Sequence, residues 1–167
     1  MKDKYIIKLT CWDYPNPTPY TDYVLNGKSP MKFETYDEAK IALLINVIEE
    51  ANELNFSSDE NGECVDRRHF IPDIDVEDYE CIIRAWDGDD YMPVTAYDIL
   101  TIKDELEYLN RKLQEKHGED ITVKICSYKE DDGSIKYYYT SAKYGESDSF
   151  NTPEAAYKAA DAYLYNL

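Results

Sequence analysis

Phe33-Glu34-Thr35-Tyr36-Asp37-Glu38-Ala39-Lys40 ends one kind of backbone and starts another. Phe33 closes an extended run. Thr35 followed three residues later by Glu38 is a capping box, in which the threonine hydroxyl takes the Glu38 N–H and the carboxylate reaches back to the Thr35 N–H. The pattern predicts a helix from here to about Asn55. Ile41, Leu44, Ile45, Ile48 and Ala51 form its expected inner stripe, and Leu43 and Val47 make it apolar on a second side. Such a helix is expected to be heavily buried.

Upstream, Tyr5 to Trp12 reads as a strand, with Ile7, Leu9 and Cys11 alternating against Lys8, Thr10 and Trp12. Pro15-Asn16-Pro17-Thr18-Pro19 cannot continue a ladder and is a loop. A second strand runs near Tyr20 to Leu25. Asn26-Gly27 is a hairpin signal, because both central residues of a type I′ turn need positive φ. A third strand, Lys28 to Phe33, is shortened or placed at an edge by Pro30.

The C-terminal third repeats this order. Ile121 to Tyr128 alternates as a strand, Asp131-Asp132-Gly133-Ser134 is a turn, Ile135 to Lys143 is a strand, and Ser147 to Phe150 is a short one. Thr152-Pro153-Glu154 then opens a helix, with Thr as N-cap and Pro at the first helical position. Lys8-Leu9 falls on Lys124-Ile125, an offset of 116; Phe33-x-Thr35 falls on Phe150-x-Thr152, an offset of 117. The near-constant offset predicts a duplicated β-β-β-α unit.

Between the copies, Asn55 to Pro72 reads as a loop, Tyr79 to Trp86 as a strand, Asp87-Gly88 as a turn, and Tyr91 to Thr95 as the returning strand. A helix follows from about Asp98 to His117, with an apolar seam at Ile99, Ile102, Leu106, Leu109 and Leu113. Gly118 closes it. The expected fold is therefore α+β, with repeated antiparallel β-β-β-α units at 1–56 and 119–167 flanking an acidic loop plus ββα unit at 57–118.

The net charge is −17, from 35 acids against 18 bases. The stretch from Asp59 to Asp90 holds 12 acids against Arg67, Arg68 and Arg84, a net of −9 in that stretch alone. An apolar content of 43% argues against disorder despite the charge. The start lacks a signal-peptide run and no stretch is long enough to span a membrane, so a cytoplasmic protein is expected. Its four cysteines are then expected as reduced thiols. Phosphates of nucleic acid or anionic lipid would repel this charge, so direct nucleic-acid and membrane contact are not expected.

Catalytic and metal motifs fail on spacing. Cys64-x-x-x-x-His69 fits no common zinc site, and there is no CxxC. An EF-hand loop counted from Asp73 would need Gly where Asp78 stands and Glu where Arg84 stands. Only His69 and His117 offer an imidazole, and neither sits in a recognisable nucleophilic arrangement. No enzyme, metal or cofactor is expected.

The candidate partner-binding residues are Asp73, Asp75, Glu77, Asp78, Tyr79, Glu80, Trp86, Asp87, Asp89, Asp90 and Tyr91. Alternation along strands sets carboxylates in rows, and the interleaved aromatics supply anchors. In size, acidity and its 17 tyrosines the chain resembles small anti-defence proteins of phages and conjugative elements that mimic DNA. The Phe33-x-Thr35-x-x-Glu38-Ala39 opening resembles the helix start of three-stranded DNA-binding arm domains of integrases, which are basic where this chain is acidic. The expectation is a non-enzymatic interaction protein that engages a basic, nucleic-acid-binding protein surface. The alternatives are a self-assembling structural module, with homodimerisation through the sheets or the Ile99–Leu113 seam, a cation-binding protein, or an enzyme.

Overall fold

A computed structural model describes residues 3–13, 16–56, 70–74, 81–86 and 90–167. In chain order the elements are β1 (Tyr5–Cys11), β2 (Tyr20–Tyr23), β3 (Leu25–Asn26), β4 (Ser29–Pro30), α1 (Tyr36–Phe56), β5 (Phe70–Ile74), β6 (Cys81–Trp86), β7 (Tyr91–Thr101), α2 (Ile102–His117), β8 (Lys124–Lys129), β9 (Ile135–Ser141), β10 (Gly145–Glu146) and α3 (Pro153–Tyr165). The fold is mixed α+β, with three helices among the described residues. The β1–β2, β3–β4, β5–β6, β6–β7, β8–β9 and β9–β10 pairs are all antiparallel. The chain divides into two compact units, Tyr5–Val24 with Lys32–Ile99, and Met1–Lys4 with Leu25–Met31 and Leu100–Leu167.

The first of these units is built on a five-stranded sheet in the order β2-β1-β7-β6-β5. This sheet draws on both the first and the middle of the three expected segments, 1–56 and 57–118. Edge strand β5 tolerates Pro72, which cannot donate to a ladder. It lies partly in the stretch expected as loop. The core gathers Ile7 of β1, Cys81, Ile83 and Ala85 of β6 and Tyr97 of β7 against Leu43, Val47 and Ala51 of α1.

The expected capping box forms at the start of α1. Thr35 Oγ1 accepts from the Glu38 N–H at 3.2 Å, and Glu38 Oε2 accepts from the N–H groups of Glu34 and Thr35 at 2.9 and 3.3 Å. Of the expected stripe only Ala51 is buried and Leu44 partly so; its three isoleucines are not. Ala39, Leu43, Val47 and Ala51 are buried, whereas Ile41, Ile45 and Ile48 are 62%, 50% and 50% exposed. Leu44 is partly buried against the core. A helix apolar on two sides leaves its orientation open to periodicity. Contact with a sheet favours the stripe that begins and ends on alanines, because small side chains let the helix axis approach.

Two boundaries also shift. The hairpin turn is centred on Gly27-Lys28, with Asn26 already paired to Ser29, and Gly27 takes φ +67°. Strand β7 runs to Thr101, so Ile99 belongs to the sheet and not to the helix seam. Thr95 and Tyr97 are buried on alternate positions and Ile99 packs on the same core. That strand pairing outweighs the helical spacing. The helix α2 begins at Ile102, where Thr101 Oγ1 accepts from the Asp104 N–H at 3.0 Å.

In the other unit β8, β9 and β10 form a three-stranded sheet in the order β10-β9-β8, packed by α2 and α3. Leu109, Leu113, Ile125, Tyr137, Ala156 and Ala160 are fully or almost fully buried. The α2 seam therefore lies inside its own unit. The outer edge of β8 is met by Asn110, whose amide donates to the Ile125 carbonyl at 3.0 Å and accepts from the Ile125 N–H at 2.7 Å. This occupies backbone groups that an open edge would present to another chain. Thr152 caps α3 by accepting from the Ala155 N–H at 3.1 Å.

The twin Phe-x-Thr motifs have related but not identical surroundings. Phe33 and Phe150 each make a single antiparallel bridge just before a helix, to Tyr5 and Tyr137. Tyr5 opens β1, whereas Tyr137 lies on β9, not on β8, the strand that aligns with β1 in sequence. The last expected strand, Ser147 to Phe150, is reduced to this bridge, with β10 just before it.

Candidate functional site

Of the candidate residues, Asp73, Asp90 and Tyr91 lie on described backbone with described side chains. Asp73 stands on β5 opposite Ile82, and Arg84 is two residues further along β6. The pleat therefore points both side chains to one face, diagonal to one another. Arg84 Nε donates to Asp73 Oδ2 at 3.1 Å, with Asp73 58% and Arg84 32% exposed. Beyond a bulge between Ile83 and Arg84, Arg84 pairs with Pro93 and Trp86 with Tyr91. Tyr91 thus shares the face of Asp73 and Arg84, opposite the buried Cys81, Ile83 and Ala85. It is 40% exposed. Asp90 is exposed, and its Oδ1 accepts from the Tyr91 N–H at 2.8 Å.

Asp75, Glu77, Asp78, Tyr79, Glu80, Asp87 and Asp89 lie outside the described residues, as do Cys64 and His69. For Trp86 only the backbone is described. The structure therefore brings together Asp73, Arg84 and Tyr91 on one sheet face, and the Asp73 carboxylate already has a cationic neighbour.

Helix α1 carries a second exposed feature. Ile41, Ile45 and Ile48 follow one another at spacings of four and three, so they form a continuous ridge along the helix. Glu38 and Glu49 stand three residues before Ile41 and four after Ile45, and both are exposed, as are Asp37, Asn52 and Glu53. The ridge is apolar along its crest and anionic at both ends. The sequence shows these isoleucines plainly. Only the choice of buried stripe reveals that they face outward.

The inner side of the same helix carries a polar cluster. Thr95 Oγ1, 2% exposed, donates to Glu50 Oε1 at 2.8 Å. Burial raises the Glu50 carboxyl above its ordinary value, with the Thr95 hydrogen bond pulling the other way. Cys11 on β1 is directly opposite Tyr20 on β2. Burial pushes the Cys11 thiol up, although hydrogen bonds to Tyr20 and Thr95 oppose this and nearby Glu50 and Asp22 add to it. A thiol held protonated is a poor nucleophile. The cluster satisfies polar groups at the edge of a core.

In the α2–α3 unit, His117 Nε2 lies 2.6 Å from Asp161 Oδ1, and Lys116 Nζ donates to Asp161 Oδ2 at 2.8 Å. Tyr165 packs edge-on to His117 and lies under the Lys116 ammonium, 4.9 Å from the ring centre in each case. This joins the last turn of α2 to α3 and uses the histidine as a helix-end group.

Among the described residues no group of three or more His, Cys, Asp or Glu is placed to hold a metal ion. No described helix is long and apolar enough to cross a membrane. No protein-family model, no curated protein and no solved structure matches the chain.

Proposed function

We propose that this chain is a non-enzymatic interaction protein that presents anionic surface to a basic protein. One observation carries the reading. Twelve carboxylates against three arginines fall between Asp59 and Asp90, within a chain of net charge −17. An anionic field of this size attracts cationic surfaces and speeds their encounter. Tyr91, exposed beside Asp90 and on the face of Asp73, adds an aromatic side chain of the kind that anchors protein contacts.

A nucleic-acid-binding partner is the specific form of this reading, with the carboxylates standing in for phosphates. Small size, acidity and 17 tyrosines support a DNA mimic of phage or mobile-element type acting in the cytoplasm. We also read 1–56 and 119–167 as copies of one unit. The near-constant offset supports this.

The test is capture from lysate on the immobilised chain at about 50 and about 500 mM salt, where the Debye length falls from above ~10 Å to about 4 Å. The expected result is a basic protein held at low salt and released at high salt. Capture of salt-insensitive partners alone refutes the reading.

A further inference from the structure

We infer that the exposed ridge of α1, Ile41-Ile45-Ile48, is a docking strip for a basic amphipathic helix of a partner protein. This rests on the reading of the chain as a binder of basic proteins and assigns that contact a place. Exposed isoleucines that repeat on one helix face are costly to leave in water and mark contact surfaces when they adjoin one another. The spacing of four and three matches the stripe of a partner helix, and the ridge covers about 10 Å of helix axis, two turns.

The charge around the ridge selects the occupant. From Tyr36 to Phe56 the helix has five acids, Asp37, Glu38, Glu49, Glu50 and Glu53, against Lys40 alone. Glu50 turns inward to Thr95. The other four are exposed, with Glu38 and Glu49 bordering the isoleucines. A second copy of α1 laid on the ridge would set acid against acid in either direction, which opposes self-pairing. A helix with leucines on its apolar face and lysines or arginines beside them meets both features at once.

The experiment uses the full chain and two synthetic peptides of about 18 residues, long enough to form helix on binding. Both carry leucines at i, i+3, i+4 and i+7. One has lysines flanking that stripe and the other has glutamates. Binding is read by fluorescence anisotropy, with circular dichroism as the folding control. The lysine peptide is expected to bind, and the glutamate peptide to bind at least about tenfold more weakly. A chain with Ile41→Ser, Ile45→Ser and Ile48→Ser is expected to lose at least about tenfold in affinity for the lysine peptide while keeping its spectrum. The single variant Ile45→Arg should do the same by repulsion, and gives a readout if the triple variant misfolds.

Equal binding of the lysine peptide to the wild-type chain and to a folded ridge variant overturns the docking strip. If that binding still weakens with salt, the broader acidic-surface reading stands. If the wild-type chain binds neither the lysine peptide nor polylysine, both fall. A wild-type dimer in light scattering that Ile45→Arg converts to monomer also overturns the inference, by making a second copy the occupant.

Discussion

His117 Nε2 and Asp161 Oδ1 lie 2.6 Å apart, and this contact ties the C-terminal turn of α2 to α3. With 11% and 18% of their side chains exposed, the two groups are largely withdrawn from water. Burial alone would raise the Asp161 carboxyl, but the hydrogen bonds from Lys116 and His117 outweigh it and hold Asp161 below its ordinary value. A carboxyl depressed in the folded state adds stability above its unfolded pKa and loses it as pH falls through the folded one. Asp161→Asn is therefore expected to cost about 1–2 kcal/mol at pH 7. The gap to wild type should close as the pH drops below the Asp161 pKa. Urea unfolding measured from pH 7 down through the acid range, where a depressed carboxyl loses its contribution between about pH 5 and about pH 1, follows both.

The orientation of α1 is tested by pairs of substitutions on its two sides. Leu43→Ala and Val47→Ala remove buried side chains and should each cost about 1–4 kcal/mol through lost transfer energy and the cavity left behind. Ile45→Ala, half exposed, should change stability by less than about 1 kcal/mol. Thermal melts of the single variants decide it. If Ile45→Ala is the more damaging, the helix is turned the other way.

Glu50 provides the opposite pH signature to Asp161. Its carboxyl is raised by burial, so the folded chain holds this proton more tightly than the unfolded chain. The sign follows: stability from this group is full below the unfolded carboxyl value and is lost as pH rises through the raised one. Glu50→Gln keeps an acceptor for Thr95 and removes the titration. It should match wild type at low pH and exceed it at neutral pH, seen as a difference in melting temperature across about pH 4–7, a window that begins just below the ordinary Glu value of about 4.3.

Asp73 and Arg84 form a partly exposed pair, and Asp73→Asn should cost less than about 1 kcal/mol, with the cost falling in high salt. The same substitution combined with Asp75→Asn, Glu77→Gln and Asp78→Asn should weaken capture of a basic partner and flatten its salt dependence. Surface plasmon resonance against the captured protein gives the salt slope. An unchanged slope separates these carboxylates from the binding surface.

Local chemistry was legible wherever a few neighbouring residues decide the outcome. Thr35 with Glu38 and Thr152 with Pro153 announce their helices because capping needs only a hydroxyl and the next turn of backbone. Asp131-Asp132-Gly133-Ser134 turns where positive φ is required, and Gly133 takes +85°. The alternation from Tyr5 to Cys11 marks a strand, although Ile6 and Ile7, which point to opposite faces, are both buried. The end of β7 was not legible, since Ile99 suits both a helix seam and a sheet face and only pairing with neighbouring strands separates the two.

The amino-acid sequence by itself determined the α+β class, the starts of α1 and α3, the charge of −17 and its concentration between Asp59 and Asp90, because these depend on composition and on contacts a few residues apart. Tertiary structure alone decided which side of α1 meets the sheet, and therefore that Ile41, Ile45 and Ile48 face outward. It also decided that β5, β6 and β7 join β1 and β2 in one sheet, and that Asp73 meets Arg84. Each of these depends on which distant strands pair and how closely a helix packs on them, and the hydrophobic pattern permitted more than one answer.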